Sequence, residues 1–175
     1  RYLIGRKYAD FLIYTEKNPN AKVVEMDTVY NDVSNGPFLQ TFKFRQYDLL
    51  ICIYQTVKDS LHMLDGILLL EEILGKEMFE KEIEVILTDS GSEFVLAEET
   101  EIREDGTRRT RMFYCDSMAS WQKGSLENVH LLVREICPKG CDLHALGLTS
   151  QEKTNFIKYP YQFISKRKAA RKIIH

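Results

Sequence analysis

Three acidic residues stand where a carboxylate has to be accounted for. Asp89 closes the apolar run "EVIL" in "EVILTDSGSEF", Asp27 lies in the Val-rich "VVEMDTV", and Glu127 falls in the first turn of the helix-like "LENVHLLVREI". Each has an ordinary explanation. Residues two apart in a strand share a face, so Glu25 and Asp27 could both look out from an exposed sheet edge. An aspartate before Ser-Gly is common turn chemistry, and a first-turn glutamate is favoured by the helix dipole. Together they allow something further: two strand-borne aspartates and a helical glutamate converge if the strands are neighbours and the helix packs across their ends. Converging carboxylates repel in a low-dielectric cleft and need cations, and magnesium suits an all-oxygen site that keeps room for water and phosphate. Only dicationic company is expected to keep such acids ionised together, so acids scattered over separate surfaces, or a gap closed by a lysine ammonium, would undo the whole metal-site reading.

The elements that must position these residues can be read from periodicity. "RYLIGRKYADFLIYTEKNPNA" spaces its apolar residues as a lead-in helix ended by Asn18-Pro19-Asn20. "KVVEMDTVYND", "FLQTFKF" and "DLLICIYQTV" read as three strands, joined by Ser34-Asn35-Gly36-Pro37 and by a tighter turn at Arg45-Gln46-Tyr47, which predicts an antiparallel meander. The period then becomes helical from Ser60 to Leu74, with Asp59 or Ser60 as N-cap and Gly75 as C-cap. "IEVIL" and "RMFYC" are predicted as a fourth and a fifth strand, separated by a charged stretch with an Asp105-Gly106 hairpin signal. The loop "DSMASWQKGS" and a helix stopped by Pro138 follow, and a last helix can begin at the capping box Thr149-x-x-Glu152. This order implies a mixed α/β fold around one sheet.

Bulk properties narrow the field. With 175 residues, 44% hydrophobic and 29% charged, the chain fits one globular domain. Its longest apolar stretch, "GILLLEEIL", falls well short of the roughly 20 residues of a membrane span. Four cysteines make no disulfide scaffold, so a reducing, cytoplasmic setting is expected. A net charge of −2 argues mildly against a strong nucleic-acid binder, although "SKRKAARK" and "TRRTR" concentrate basic residues that are otherwise ordinary solvated surface.

"VVEMDTV", "VILTDSGSEF" and "SWQKGSLENVHLLVREICPKG" resemble the three blocks of the catalytic core of bacterial DDE-type insertion-sequence transposases, most closely the insertion-sequence-thirty family, a core shared in broad form with retroviral integrases. The resemblance covers about residues 1–148 and implies a ribonuclease H-like fold, a mixed five-stranded sheet flanked by helices. Residues 1–22 would form a lead-in helix and linker, 23–148 the integrase-like catalytic core, and 149–175 a basic C-terminal segment that departs from the family pattern. Asp27, Asp89 and Glu127 would be the acidic triad, 62 and 38 residues apart. The family's N-terminal helix-turn-helix is not seen before Arg1, so this chain alone is not expected to select its DNA sites.

The implied activity is divalent-metal-dependent cleavage and strand transfer of DNA during transposition of an insertion sequence. Two Mg2+ or Mn2+ ions about 3.5–4 Å apart would neutralise the phosphodiester, one activating water or a 3′-hydroxyl and the other stabilising the departing oxygen. Asp27 would bridge the ions, with no organic cofactor. Gln122, Lys123, Asn128 and Arg134 would line the DNA side of the cleft, Arg134 sharing a helix face with Glu127. Trp121 could stack on a base, though closing the core suits it better, and Glu93 is expected to be turned away from Asp89. The implied partners are the element's ends, target DNA and further copies of the chain, in a bacterial cytoplasm and with no membrane. Two other readings stay open: a remnant that binds DNA or a partner without turnover, and a ribonuclease H-type nuclease acting on RNA–DNA hybrids. A zinc site of His130, Cys137, Cys141 and His144 is disfavoured, because its Cys-x3-Cys spacing crosses Pro138 and Gly140.

Overall fold

The computed structural model describes residues 2–29, 37–47, 49–124, 133, 143 and 150. Helix α1 (Tyr8–Lys17) leads into β1 (Val23–Val29), β2 (Phe38–Phe44) and β3 (Leu49–Gln55). Helices α2 (Ser60–Leu74) and α3 (Lys76–Glu82), strand β4 (Val85–Thr88), helix α4 (Ala97–Glu101) and strand β5 (Arg111–Tyr114) follow. Short 3-10 turns occupy Ser92–Phe94 and Ser120–Lys123. The five strands form one sheet in the order β3-β2-β1-β4-β5. β1, β2 and β3 are antiparallel, as the meander predicts, whereas β4 lies parallel to β1 and β5 parallel to β4. This is the mixed five-stranded sheet flanked by helices that the ribonuclease H-like resemblance implies.

Both faces of the sheet are covered, and alternation along β1 shows why. Val24 and Met26 enter the main core with Phe42, Phe44, Ile51, Ile53 and Ile86, roofed by Met63, Ile67 and Leu70 of α2 and Phe79 of α3. Val23 enters a second cluster under α1, where Phe11 meets Phe113 edge to face. Glu25 and Asp27 share that second face. They do not lie at an exposed edge: β1 is the central strand, and Glu25 is fully buried.

Helix α2 has the predicted caps. The Asp59 carboxylate accepts from the His62 N–H, and Gly75 takes φ 77°, a left-handed value that favours glycine. The chain does not stop there, because "KEMFEKE" forms α3, turned inward by the buried Phe79. The charged stretch before Asp105-Gly106 is also partly helical. In α4, Ala97, Thr100 and Glu101 are buried, and the turn closes through an Ile102–Arg108 bridge. The Ser34–Pro37 turn lies outside the described residues except at Pro37, and the helices expected over 126–136 and from Thr149 lie outside them except at Val133 and Ser150. No helix among the described residues is long and apolar enough to cross a membrane.

Beneath α2, two buried glutamines satisfy one another and the helix backbone. Gln55 Nε2 donates to Gln40 Oε1 at 3.2 Å and to the His62 carbonyl at 2.7 Å, while Gln40 Nε2 donates to the Met63 carbonyl at 3.0 Å. Gly66 makes room for this pair, since a Cβ there would stand 1.8 Å from Gln40 Oε1. Gly66→Ala should therefore destabilise the fold by about 1–3 kcal/mol in urea unfolding, despite alanine's better helix propensity. An unchanged or raised midpoint would contradict this account of the packing.

Candidate functional site

Parallel pairing of β1 and β4 brings the two aspartates together. Glu25 stands opposite Leu87, so two residues further along each strand come Asp27 and, just past β4, Asp89. They lie toward the carboxyl ends of adjacent parallel strands, where α/β sheets commonly place their sites. β1 also turns an antiparallel edge to β2 here, and Thr41 Oγ1 donates to the Asp27 carbonyl at 3.1 Å.

Each aspartate has one oxygen held by the backbone. The Thr28 N–H donates to Asp27 Oδ1 at 2.7 Å, and the Gly91 N–H donates to Asp89 Oδ1 at 2.9 Å, the latter made by the Asp-Ser-Gly turn. The remaining oxygens face a common cation. Lys123 Nζ lies 2.7 Å from Asp27 Oδ2 and 3.6 Å from Asp89 Oδ2. The lysine side chain is only 7% exposed, against 23% for Asp27 and 46% for Asp89, so the ammonium is enclosed and the site opens to solvent on the Asp89 side.

A lysine ammonium thus closes the gap between the two aspartates, the outcome that stands against the metal-site reading, and the expectation that only dications keep them ionised fails. Dications are not required to keep the two aspartates company, because the chain supplies a monocation of its own. Burial disfavours the Lys123 ammonium, yet the attraction and hydrogen bond of Asp27, with the attraction of Asp89, outweigh it and raise the lysine above its ordinary pKa. Asp89 is raised by burial and by the neighbouring Asp27 and Glu93 carboxylates, with Lys123 and the Gly91 N–H opposing.

A second ion pair sets the lysine's position. Glu25 cannot be buried in mid-sheet without a partner. Arg45, in the turn after β2, donates from Nε to Glu25 Oε1 at 2.6 Å and lies over the Phe11 ring. Its Nη2 also donates to the Gln122 carbonyl at 3.1 Å, anchoring the peptide that precedes Lys123. The Gln122 amide is clasped by Asp116, accepting from its N–H at 2.8 Å and donating to Oδ2 at 2.9 Å. Burial pushes the nearby Cys115 thiol up to about 12, so this residue stays neutral at physiological pH.

The other expected site residues divide clearly. Gln122 and Lys123, expected on the DNA side of the cleft, are buried with their side-chain polar groups engaged inside the chain. Glu127, Asn128 and Arg134 lie outside the described residues, as do the proposed zinc ligands His130, Cys137, Cys141 and His144. Among the described residues no three His, Cys, Asp or Glu side chains form a metal-sized cluster. Trp121 does not close the core. It is 70% exposed and meets Tyr8 edge to face. Glu93 is not turned away either: the 3-10 turn folds its carboxylate back over Gly91, beside Asp89, where Lys58 pairs with it at 2.8 Å. Nor is "TRRTR" a free basic patch, since Arg109 is buried against Glu71, Arg108 reaches Glu101, and Arg111 lies over Tyr14.

Sequence reasoning missed Lys123 as a counter-ion, Arg45 as its anchor, and Glu93. One signal was present: acids in a valine-rich strand demand cations, and Lys123 falls in the loop that follows the fifth strand.

No protein-family model and no curated protein matches the sequence. Among solved structures, the trimeric form of the catalytic core domain of HTLV-2 integrase, in complex with magnesium, is similar with TM-score 0.41 at 15% identity, over 71% of this chain and 78% of that one. Its dimeric form gives TM-score 0.38 at 14% identity, over 66% and 73%. The simian T-cell lymphotropic virus intasome, in complex with the PP2A regulatory subunit B56 gamma, gives 0.40 at 14% identity, over 72% of this chain and 46% of that one. Likenesses this loose carry no activity across, and the fold described above rests on strand order and direction.

The two sides of the ion pair should respond oppositely to neutralisation. Lys123→Met leaves two carboxylates facing each other and should cost roughly 2–3 kcal/mol in chemical denaturation, below the value for a fully buried pair because Asp27 retains some water. Asp89→Asn removes a charge that its surroundings disfavour and should leave the melting temperature unchanged or slightly raised. Equal losses from both substitutions would contradict this electrostatic picture.

Proposed function

We propose that the chain is the catalytic domain of a DDE-type transposase or integrase, performing divalent-metal-dependent DNA strand cleavage and strand transfer during transposition of an insertion sequence. The observation that carries this reading is the placement of Asp27 on β1 and Asp89 just past the adjacent parallel β4, each with one oxygen fixed by a backbone N–H and the other turned toward a shared cation. The donor set suits a divalent ion in that both free donors are hard carboxylate oxygens, and in this reading the ammonium now between them has to give way to it. Glu127 is the third ligand in this proposal. When bound, two Mg2+ or Mn2+ ions supply charge neutralisation of the phosphodiester and activation of water or a 3′-hydroxyl.

The chain's own part is orientation. The Thr28 and Gly91 amides hold the carboxylates so that their free oxygens need no reorganisation when a cation arrives. The Arg45–Gln122 and Gln122–Asp116 bonds fix the loop beneath them. Trp121, exposed two residues before Lys123, offers an aromatic face to an unpaired base, with Asn128 and Arg134 as further DNA contacts. Element ends, target DNA and further copies of the chain are the partners in this reading, and a bacterial cytoplasm is its setting.

One observation favours a second reading. An ammonium enclosed between the aspartates is also what a remnant retaining the fold without turnover would keep. Strand nicking separates the two. The parent should nick duplex DNA in Mg2+ or Mn2+, and Asp89→Asn should reduce nicking to background while still melting like the parent. Nicking by Asp89→Asn at the parent's rate would remove the assignment, and no nicking by the parent would favour the remnant. Preferential cutting of an RNA–DNA hybrid would instead indicate a ribonuclease H-type nuclease.

A further inference from the structure

Lys123 stands where the proposed function needs a metal ion, and the surrounding geometry indicates how both can be true. The ammonium touches Asp27 Oδ2 at 2.7 Å and faces Asp89 Oδ2 at 3.6 Å. A magnesium ion sits about 2.1 Å from its oxygen ligands, so an ion on these same two oxygens would compete with the ammonium for them. Two cations drawn to the same pair of oxygens repel one another, which favours the departure of one. We propose that Lys123 is a built-in competitor for the divalent ion: its ammonium holds Asp27 and Asp89 in an ion-ready arrangement, and metal binding expels it toward solvent.

Three features make this exchange feasible without disturbing the fold. The loop is anchored by groups other than the lysine side chain, through Arg45 to the Gln122 carbonyl and Asp116 to the Gln122 amide, so the backbone can stay in place while the side chain swings. Asp89 is half exposed, which gives the ion an approach and the ammonium an exit. Gly124 follows directly, with no atom of the described residues within 4 Å of the position its Cβ would take. Charge also favours the exchange. Two carboxylates with one ammonium retain a net negative charge, which a dication cancels. The lysine thus keeps the acids from repelling one another in the ion-free protein, and its presence weakens the apparent affinity for metal.

This inference rests on the reading of Asp27 and Asp89 as metal ligands, and the test separates the two. Mn2+ is titrated calorimetrically into the purified 175-residue chain, its Lys123→Met variant and its Asp27→Asn variant. The inference predicts weak binding by the parent, at least tenfold tighter binding by Lys123→Met, and none by Asp27→Asn. Equal or weaker binding by Lys123→Met overturns the inference and leaves the metal-site reading standing. Absence of binding in both parent and Lys123→Met overturns both.

The parent alone provides a second measurement that stands even if Lys123→Met does not fold. Reductive methylation of Lys123, followed by mass spectrometry, should be slow in the ion-free protein and at least tenfold faster with saturating Mg2+. The exposed Lys17 serves as the unchanging reference. A Lys123 rate indifferent to Mg2+ overturns the inference.

Discussion

The structure depends on one constraint: acids carried on the central strand of a covered sheet must be met by positive charge. Glu25, fully buried, and Asp27, two residues on, lie among valines and methionine on β1. A carboxylate buried there costs desolvation unless a partner meets it. Arg45 answers the first and Lys123 the second, and the same arginine holds the peptide next to that lysine. Two ion pairs are therefore linked through Gln122, and the loop after β5 is tied to the middle of the sheet by the charges on β1.

That coupling joins stability to the proposed chemistry. Strand direction brings Asp89 beside Asp27, backbone amides leave one oxygen of each free, and an enclosed ammonium screens the repulsion between them. In the proposed reading, a cation of higher charge would take the place of the ammonium with little rearrangement beyond one side chain. Residues far from the pair contribute by fixing the frame. Helix α1 seats Phe11 under Arg45, and Asp116 closes around Gln122.

Much of this was legible from residue order. The meander, α2 with its Asp59 and Gly75 caps, and the fourth and fifth strands follow from the two periodicities and from turn residues. Helix α3 was not, because Gly75 reads as a terminus and only Phe79, buried in the core, shows why the chain turns helical again. Helix α4 was hidden in a charged stretch whose Glu101 is buried by pairing with Arg6, a contact across 95 residues that no local pattern reveals. The aspartate pair was legible as a possibility. Its lysine, the fold-back of Glu93 and the exposure of Trp121 were not, since each depends on how distant segments meet.

The central claim is that Asp27 and Asp89 form a cation site whose resident ammonium yields to metal. Anomalous diffraction from crystals soaked in Mn2+ tests it most directly. The account predicts an anomalous peak bonded to Asp27 Oδ2 and Asp89 Oδ2, with Lys123 Nζ withdrawn from both. No peak between the two carboxylates at saturating Mn2+, with the ammonium still in contact with Asp27, would contradict it.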